Sequence, residues 1–582
     1  MTNVRFFVLI MTTAISLVLG VFGRSWWDIG SVFDYCGYWT VAALVVVWVV
    51  MAAAILRAGV RTFWCRLRAS GLIWVLLAWL FLIGREPTEF KVLMDEPMLV
   101  SASQGMHFQR STTIPLRSYE IGGSKEYWGS FQDKRPPLFP FILSLVHDAT
   151  GYRVENVFWL NKVLLLVFLI LAWLAGNQLD EKLGGGLAML WFCGWPILAQ
   201  NACGGGFEIF NLTLIIIVFL AARRFLANSD DRTEAFLLCS CQLLAHTRYE
   251  SVLYVLVFAG IWLVRSIASR RWTLSWFTAV SPLFLIPVLW QREIVSVHGE
   301  IWQLGKGNDH AFGIDFVYSN LRHASRFLFE PNPDFAGSPF FGALGLLALM
   351  GLGLCLVRKI RAGAAIAPEL KALCWVGGIV AASFGVLLSY HWGQLDDPVV
   401  SRLILPLVGL MGFACCAVRP FLFPTVQVGR LILGIMAFWV VGYALPVMNQ
   451  HLYSQHNIHM EIFRWARLEI GRVGSRSPLI ISSEQMLWSI HEIQALSLPE
   501  AASRLPQIEF HRSVRTYDDV FLIQDLVDDP TTRQKVPLQG SRFADGVALE
   551  TVAEKSFYPF KWVVRISRIK KIDLDHAAKS DR

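Results

Sequence analysis

The sequence predicts a polytopic α-helical membrane protein carrying a small α/β domain at its C-terminal end. Three observations predict it. Of 582 residues, 55% are hydrophobic and 16% charged, against roughly 25% charged in soluble domains. Runs such as 40–56 and 431–447 carry no charged residue over nearly the length of a bilayer-crossing helix, which needs ~20 apolar residues. After residue 450 the composition turns polar, and short apolar runs replace the long ones.

Hydropathy and loop charge place about thirteen spans along the chain. They fall near 6–23, 40–56, 71–84, 157–175, 187–201, 207–222, 235–246, 252–264, 273–290, 339–357, 372–390, 401–418 and 431–447. The run 137–146 is apolar but too short to cross, and is expected to lie in the interface. Basic residues gather in alternate loops: Arg57, Arg61, Arg66 and Arg68, then Arg223, Arg224 and Arg232, then Arg265, Arg270 and Arg271, then Arg358, Lys359 and Arg361, then Arg419 and Arg430. The intervening loops are nearly bare. Short basic loops stay in the cytoplasm, so the N-terminus is expected inside the cell membrane and the C-terminal domain outside it.

Three regions follow from this pass: 1–70 with two extra spans, 71–450 as the main membrane region, and 451–582 as the outer domain. Two long loops of the middle region, 85–136 and 291–337, would face outward. The first holds seven basic residues, but long loops translocate largely regardless of charge. In the last region, 479–482, 520–523 and 562–566 have strand character and 484–498 has helical spacing. The end, 572–582, is polar and expected to fray.

Ten cysteines occur, none of them in the outer domain, which excludes a disulfide framework there. No Cys/His spacing suits a metal, and none is expected. The net charge of +8 follows from the loop bias and gives no reason to invoke nucleic acid. Gly204-Gly205-Gly206 follows no strand and has no P-loop lysine, so it reads as a tight turn rather than a nucleotide site.

The residues able to carry chemistry sit on the side facing outward. Asp95-Glu96 opens the first long loop. A carboxylate partly desolvated at the bilayer surface gains basicity and can act as a general base with a polar neighbour in support; loop capping is the alternative. Lys134-Arg135 stands directly before Pro136-Pro137 and the interfacial run, placing two cations at phosphate depth, where headgroup anchoring is the alternative. Arg402 opens the twelfth span, and Arg248 with Glu250 lies at an outer turn. His391, Asp396 and Asp397 occupy the outer loop just before Arg402, able to touch a sugar or simply to be solvated.

In order and spacing, Asp95-Glu96, then Arg135-Pro136-Pro137-Leu138, then Gly151-Tyr152, and finally Arg402 to Pro406 resemble the GT-C superfamily of membrane glycosyltransferases. The similarity is greatest to its protein O-mannosyltransferase and lipid A aminoarabinose transferase branch. The chain departs from that pattern in its two extra N-terminal spans, in Leu403 where a tyrosine is usual, and in lacking the arginine expected near Phe158 and Trp159; Arg153 and Lys162 are the nearest cations. The resemblance implies an inverting glycosyltransferase acting from a polyprenyl-phosphate sugar, without a cofactor. Asp95 would be the base, and Glu96 would orient Asp95 or the acceptor. Lys134, Arg135, Arg248 and Arg402 would hold the donor phosphate, and His391 and Asp396 would contact acceptor or sugar. The implied partners are the lipid-linked donor, a glycolipid, polysaccharide or protein acceptor, and membrane lipids. Two other classes compete: a multi-span transporter of an envelope lipid or solute, and a non-catalytic envelope scaffold. A transporter would show repeated halves and buried midplane charge, and neither is visible in the sequence.

Overall fold

The computed structural model describes residues 2–26, 29–57, 60–93, 95–115, 118–121, 124–127, 130–297, 304, 309–450, 457–528, 534–544, 546–558 and 562–573. The expected fraying of 572–582 falls almost wholly outside these residues, as do parts of both long loops.

Among the described residues nine helices are long and apolar enough to cross a membrane: Asn3–Phe22, Val32–Arg57, Asn156–Leu179, Glu208–Ala227, Glu250–Ser269, Pro339–Arg361, Pro368–Leu388, Ser401–Leu422 and Val426–Asn449. Every other expected span is also helical but shorter. Ser70–Ile83, Gly184–Cys193 and Trp276–Gln291 are apolar helices of 10–17 residues, and Asp231–Ala245 has 15. The span expected over 187–201 is broken because Trp195 precedes Pro196, and a residue before proline avoids helical backbone. One helix stops at Cys193 and a second starts at Pro196 with Trp195 extended. The apolar run after Pro137 forms the helix Leu138–Thr150.

Small residues let these helices approach closely, as membrane packing requires when water supplies no driving force. Gly176 and Gly184 bring two helices into backbone contact, Gly194 faces the Phe341 ring, and Gly412 and Gly345 both lie against Trp191. The indole of Trp191 donates to Val408 O at 2.9 Å. Asp180 and Arg419 form an ion pair buried between the helices that carry them, with Arg419 Nε donating at 2.7 Å. A side chain at Gly184 would run into the carbonyl of Gly176. Gly184→Val is therefore expected to cost about 2 kcal/mol by overpacking, read as a lower midpoint of thermal unfolding. Gly353, where an added Cβ would meet nothing within 4 Å, should accept alanine with no such change.

The two N-terminal helices lean on the rest of the bundle through polar contacts as well as apolar ones. Thr12 donates to Ala279 O at 2.6 Å, Trp290 donates to Leu19 O at 2.9 Å, and Trp48 donates to Ser240 Oγ at 3.0 Å.

The C-terminal region, from residue 457 onward, is a helix, Ile458–Val473, followed by a mixed sheet. Strand order is Gln494–Leu496, Pro478–Ile481, Asp519–Asp528, Trp562–Ile572 and Val547–Phe557, with Lys535–Pro537 paired to Asp519–Asp528. The first three strands are parallel and the rest antiparallel. The three runs expected as strands coincide with strands here. The helix expected over 484–498 does not run through: it stops at Ile490, and 494–496 becomes a strand. Glu492 takes a positive φ of 62°, which a helix cannot continue through. Short apolar runs do not distinguish the two periods by themselves.

This region docks on the membrane domain at the first long loop. Tyr152 Oη donates to Ile490 O at 2.7 Å, Asn457 Nδ2 donates to Phe90 O at 2.9 Å, and Arg464 pairs with Glu89 at 2.9 Å.

Candidate active site

Asp95 caps the helix Glu96–Gln109, at the point where the loop leaving Ser70–Ile83 turns back. Pro97 occupies the first turn, where its missing N–H costs nothing. The carboxylate of Asp95 bridges two arginines from distant parts of the chain. Arg135 donates Nε to Oδ1 at 2.9 Å and also donates Nη2 to the same oxygen; Arg402 donates Nη2 to Oδ2. Each arginine has a second acid. Arg135 Nη1 donates to Asp133 Oδ1 at 2.6 Å, and Arg402 Nη1 donates to Glu208 Oε1 at 2.9 Å. Glu208 Oε1 lies 3.6 Å from Arg248 Nη1, and Arg248 Nε lies 2.6 Å from Glu250 Oε1. The result is an unbroken series of alternating charge: Glu250, Arg248, Glu208, Arg402, Asp95, Arg135, Asp133.

Local structure explains how each member arrives. Arg402 sits in the 3₁₀ turn Ser401–Ile404, and Asp397 caps the preceding turn by accepting from Val399 N at 2.7 Å. The Nε of Arg402 donates to Val399 O at 3.0 Å, which fixes the guanidinium plane. Gln291 donates to the carbonyl of Arg135 and so holds the 133–135 segment in place. Glu208 begins its span directly after the three glycines. Burial opposes charge on Asp95, but Arg402 and Arg135 outweigh it and hold its carboxyl well below the usual carboxylate range. Burial lifts the Asp133 carboxyl above that range despite Arg135.

Glu96 faces away from its neighbour. Its Oε2 accepts from Lys91 N and Gly205 N, both at 2.8 Å. Asn161 clamps the same glycine turn by donating to Gly204 O and Gly206 O, both at 2.8 Å. A Cβ at Gly205 would meet the Phe90 ring at 2.9 Å, so that turn needs glycine for closeness rather than for a special backbone angle. Glu96 thus ties the loop before Asp95 to the turn before Glu208.

Burial, then the nearby Glu208, push the Glu96 carboxyl up to about 7, against the two backbone donors. A folded-state value above the ordinary one adds stability at low pH that is lost as pH rises through about 7. The group's contribution should therefore fall between pH 4.5 and about 7, by about 3 kcal/mol at most. Glu96→Gln keeps an acceptor and removes the charge, so its unfolding midpoint should change less than the wild type's over that interval. An equal slope in both proteins would contradict it.

The other expected site residues lie elsewhere. Among the described residues Lys134 makes no ion pair, while its neighbour Arg135 turns inward. Asp396 pairs with His323 at 2.8 Å and with Arg326 at 2.8 Å, both on the helix Asp315–Phe329. His391 donates its backbone N–H to Ala311 O at 2.9 Å and packs its ring on Tyr390. Asp396 is thus taken up by partners outside the Asp95 series. Lys162, the nearest cation to the missing arginine, donates to Thr88 at 2.8 Å. Nothing in the sequence singles out Glu208, Asp133 or Asn161. Among the described residues no group of three or more His, Cys, Asp or Glu is placed to hold a metal ion.

One helical turn beyond Arg402, Pro406 lines an apolar pocket between four spans, together with Phe168, Leu212, Val376, Leu410 and Phe413.

No family model matches the chain, and no curated protein is similar to it in sequence. Among solved structures it is similar to ArnT from Cupriavidus metallidurans bound to undecaprenyl phosphate, with 12% identity and a TM-score of 0.51 over 86% of this chain and 98% of that one. The apo state of the same protein gives 11% identity and a TM-score of 0.49 over 85% and 97%. The oligosaccharyltransferase of Archaeoglobus fulgidus in its apo form gives 12% and 0.42 over 81% and 75%. At such identities the likeness is one of fold. The chain has the fold of ArnT from Cupriavidus metallidurans.

Proposed function

We propose that the chain is an inverting glycosyltransferase that moves a sugar from a polyprenyl-phosphate carrier to an acceptor hydroxyl on the outer face of the cell membrane. The observation that carries this reading is Asp95, a carboxylate between two arginines at one end of an apolar helical bundle.

Asp95 takes the proton of the acceptor hydroxyl as its oxygen attacks the anomeric carbon. The bond from that carbon to the phosphate oxygen breaks on the opposite side, which inverts the centre. Arg135, Arg402 and Arg248 are the donors for the phosphate, whose charge grows as the bond breaks; fixed cations in a partly desolvated site stabilise such charge strongly. Lys134 stands beside them at headgroup depth. Glu96 acts at one remove, by fixing the loop that presents Asp95. The isoprenoid chain lies along the apolar spans, open to the lipid. The acceptor is a glycolipid, a polysaccharide or a protein. The basic loops put the N-terminus in the cytoplasm and the C-terminal domain outside, where nucleotide sugars are not available and a lipid carrier must supply the sugar.

The test compares envelope glycans and glycolipids by mass spectrometry in a null strain with and without the wild-type gene. Loss of one sugar in the null strain and its return on complementation support the reading. Identical profiles would sink it and bring the transporter and scaffold readings forward.

A further inference from the structure

We propose that the carrier phosphate and the carboxylate of Asp95 compete for the same two guanidinium groups, so that binding the donor releases the base. The inference rests on the lipid-phosphate reading above and extends it to the order of events at the site.

In the structure both oxygens of Asp95 are engaged, Oδ1 by Arg135 and Oδ2 by Arg402. A general base must draw the proton of the incoming hydroxyl, and a carboxylate that already takes three guanidinium donors has little basicity left for it. The same two arginines are the cations best placed for the phosphate. In this arrangement the edges of both guanidinium groups that face Asp95 are taken by its carboxylate.

Burial indicates which acid yields. The side chain of Asp95 is 21% exposed, while those of Asp133 and Glu208 are 7% and 2% exposed. A ligand arriving from the surface therefore meets Asp95 first, and the two outlying acids stay behind. Arg135 keeps Asp133 and Arg402 keeps Glu208 when Asp95 is displaced, so neither cation is left unpaired at any stage. The donor's phosphodiester presents two non-bridging oxygens, as a carboxylate does, and takes guanidinium forks in parallel pairs; the monoester left after transfer presents a third. Glu96 anchors the helix start to Lys91 N and Gly205 N, so the exchange needs only a turn of the Asp95 side chain. Freed from its counter-ions but still beside them, Asp95 becomes a base only when there is a sugar phosphate to attack. When the carrier leaves, the arginines return to Asp95.

The test measures binding to the purified full chain in nanodiscs, using undecaprenyl phosphate, undecaprenol and inorganic phosphate as probes. If a fraction of roughly a tenth of the protein has its arginines free of Asp95, removing the competing charge should tighten binding about tenfold. Asp95→Asn and Asp95→Ser are therefore expected to bind undecaprenyl phosphate about tenfold more tightly than the wild type, with undecaprenol unchanged. Inorganic phosphate should displace the lipid at lower concentration in the variants. Equal or weaker binding of undecaprenyl phosphate by both variants, each with a cooperative unfolding transition, overturns the competition. If the wild type and both variants bind undecaprenol as well as undecaprenyl phosphate, the lipid-phosphate reading falls, and the competition with it.

Discussion

Asp95→Asn, produced in the membrane at the wild-type level, is expected to lose sugar transfer by about a thousandfold. The amide has the size and polarity of the acid but cannot accept a proton at working pH. Arg135 and Arg402 retain Asp133 and Glu208, so the loss should not come from unfolding. The measurement is the initial rate of product formation in membranes of the complemented null strain, with protein quantified in the same samples. Asp95→Glu should also fail to restore the full rate, since an added methylene moves the carboxylate by more than about 1 Å in a reaction sensitive to such displacement. Transfer by Asp95→Asn within about tenfold of wild type would remove Asp95 from the role of base.

Arg402→Ala is expected to be the most destabilising single change at the site. Glu208 is fully buried and would keep only Arg248, at 3.6 Å, as a cation. Leaving a buried carboxylate without its partner costs about 3–5 kcal/mol, so the variant should unfold at markedly lower temperature and reach the membrane in reduced amount. Glu208→Gln in the same protein removes the orphaned charge and should recover much of the stability, measured by thermal unfolding in detergent. Transfer should not recover, because the phosphate still lacks its main cation. Arg402→Lys separates charge from shape: it keeps the cation but loses the fork that spans Glu208 and Asp95, and an intermediate rate is expected. Full transfer by the stabilised double variant would exclude Arg402 from phosphate binding.

What can be read from the chain follows physical range. The spans are legible because apolar length is a local property. Their true ends are not, as at Cys193 and Pro196, where one expected span becomes two short helices. Asp95, Arg135 and Arg402 stand out because each sits at a break in apolar sequence, beside a proline or the start of a span. Glu208 and Asp133 do not stand out, although they complete the charge series. Arg402 meets Glu208 across 194 positions and Asp95 across 307, and no local pattern records such a meeting. Lys134 and Arg135 read as a pair in sequence, yet Arg135 pairs with Asp133, two residues away. The sequence also suggests Glu96 as the orienting partner of Asp95. As the first residue of a helix its side chain instead reaches back to the preceding loop. Asp396 is satisfied by His323 and Arg326 from a helix that the sequence shows only as part of a long loop.

The docking of the C-terminal region has a consequence for when this protein becomes competent. The loop that carries Asp95 is held at Glu89 and Phe90 by Arg464 and Asn457, across 375 and 367 positions. Tyr152 reaches Ile490 across 338. These partners leave the ribosome among the last parts of the chain, long after the loop itself. A nascent or prematurely terminated chain can insert every span and still lack the contacts that set the loop. Competence is thereby tied to synthesis past residue 490, and a product truncated before residue 457 is expected to be inert in the membrane.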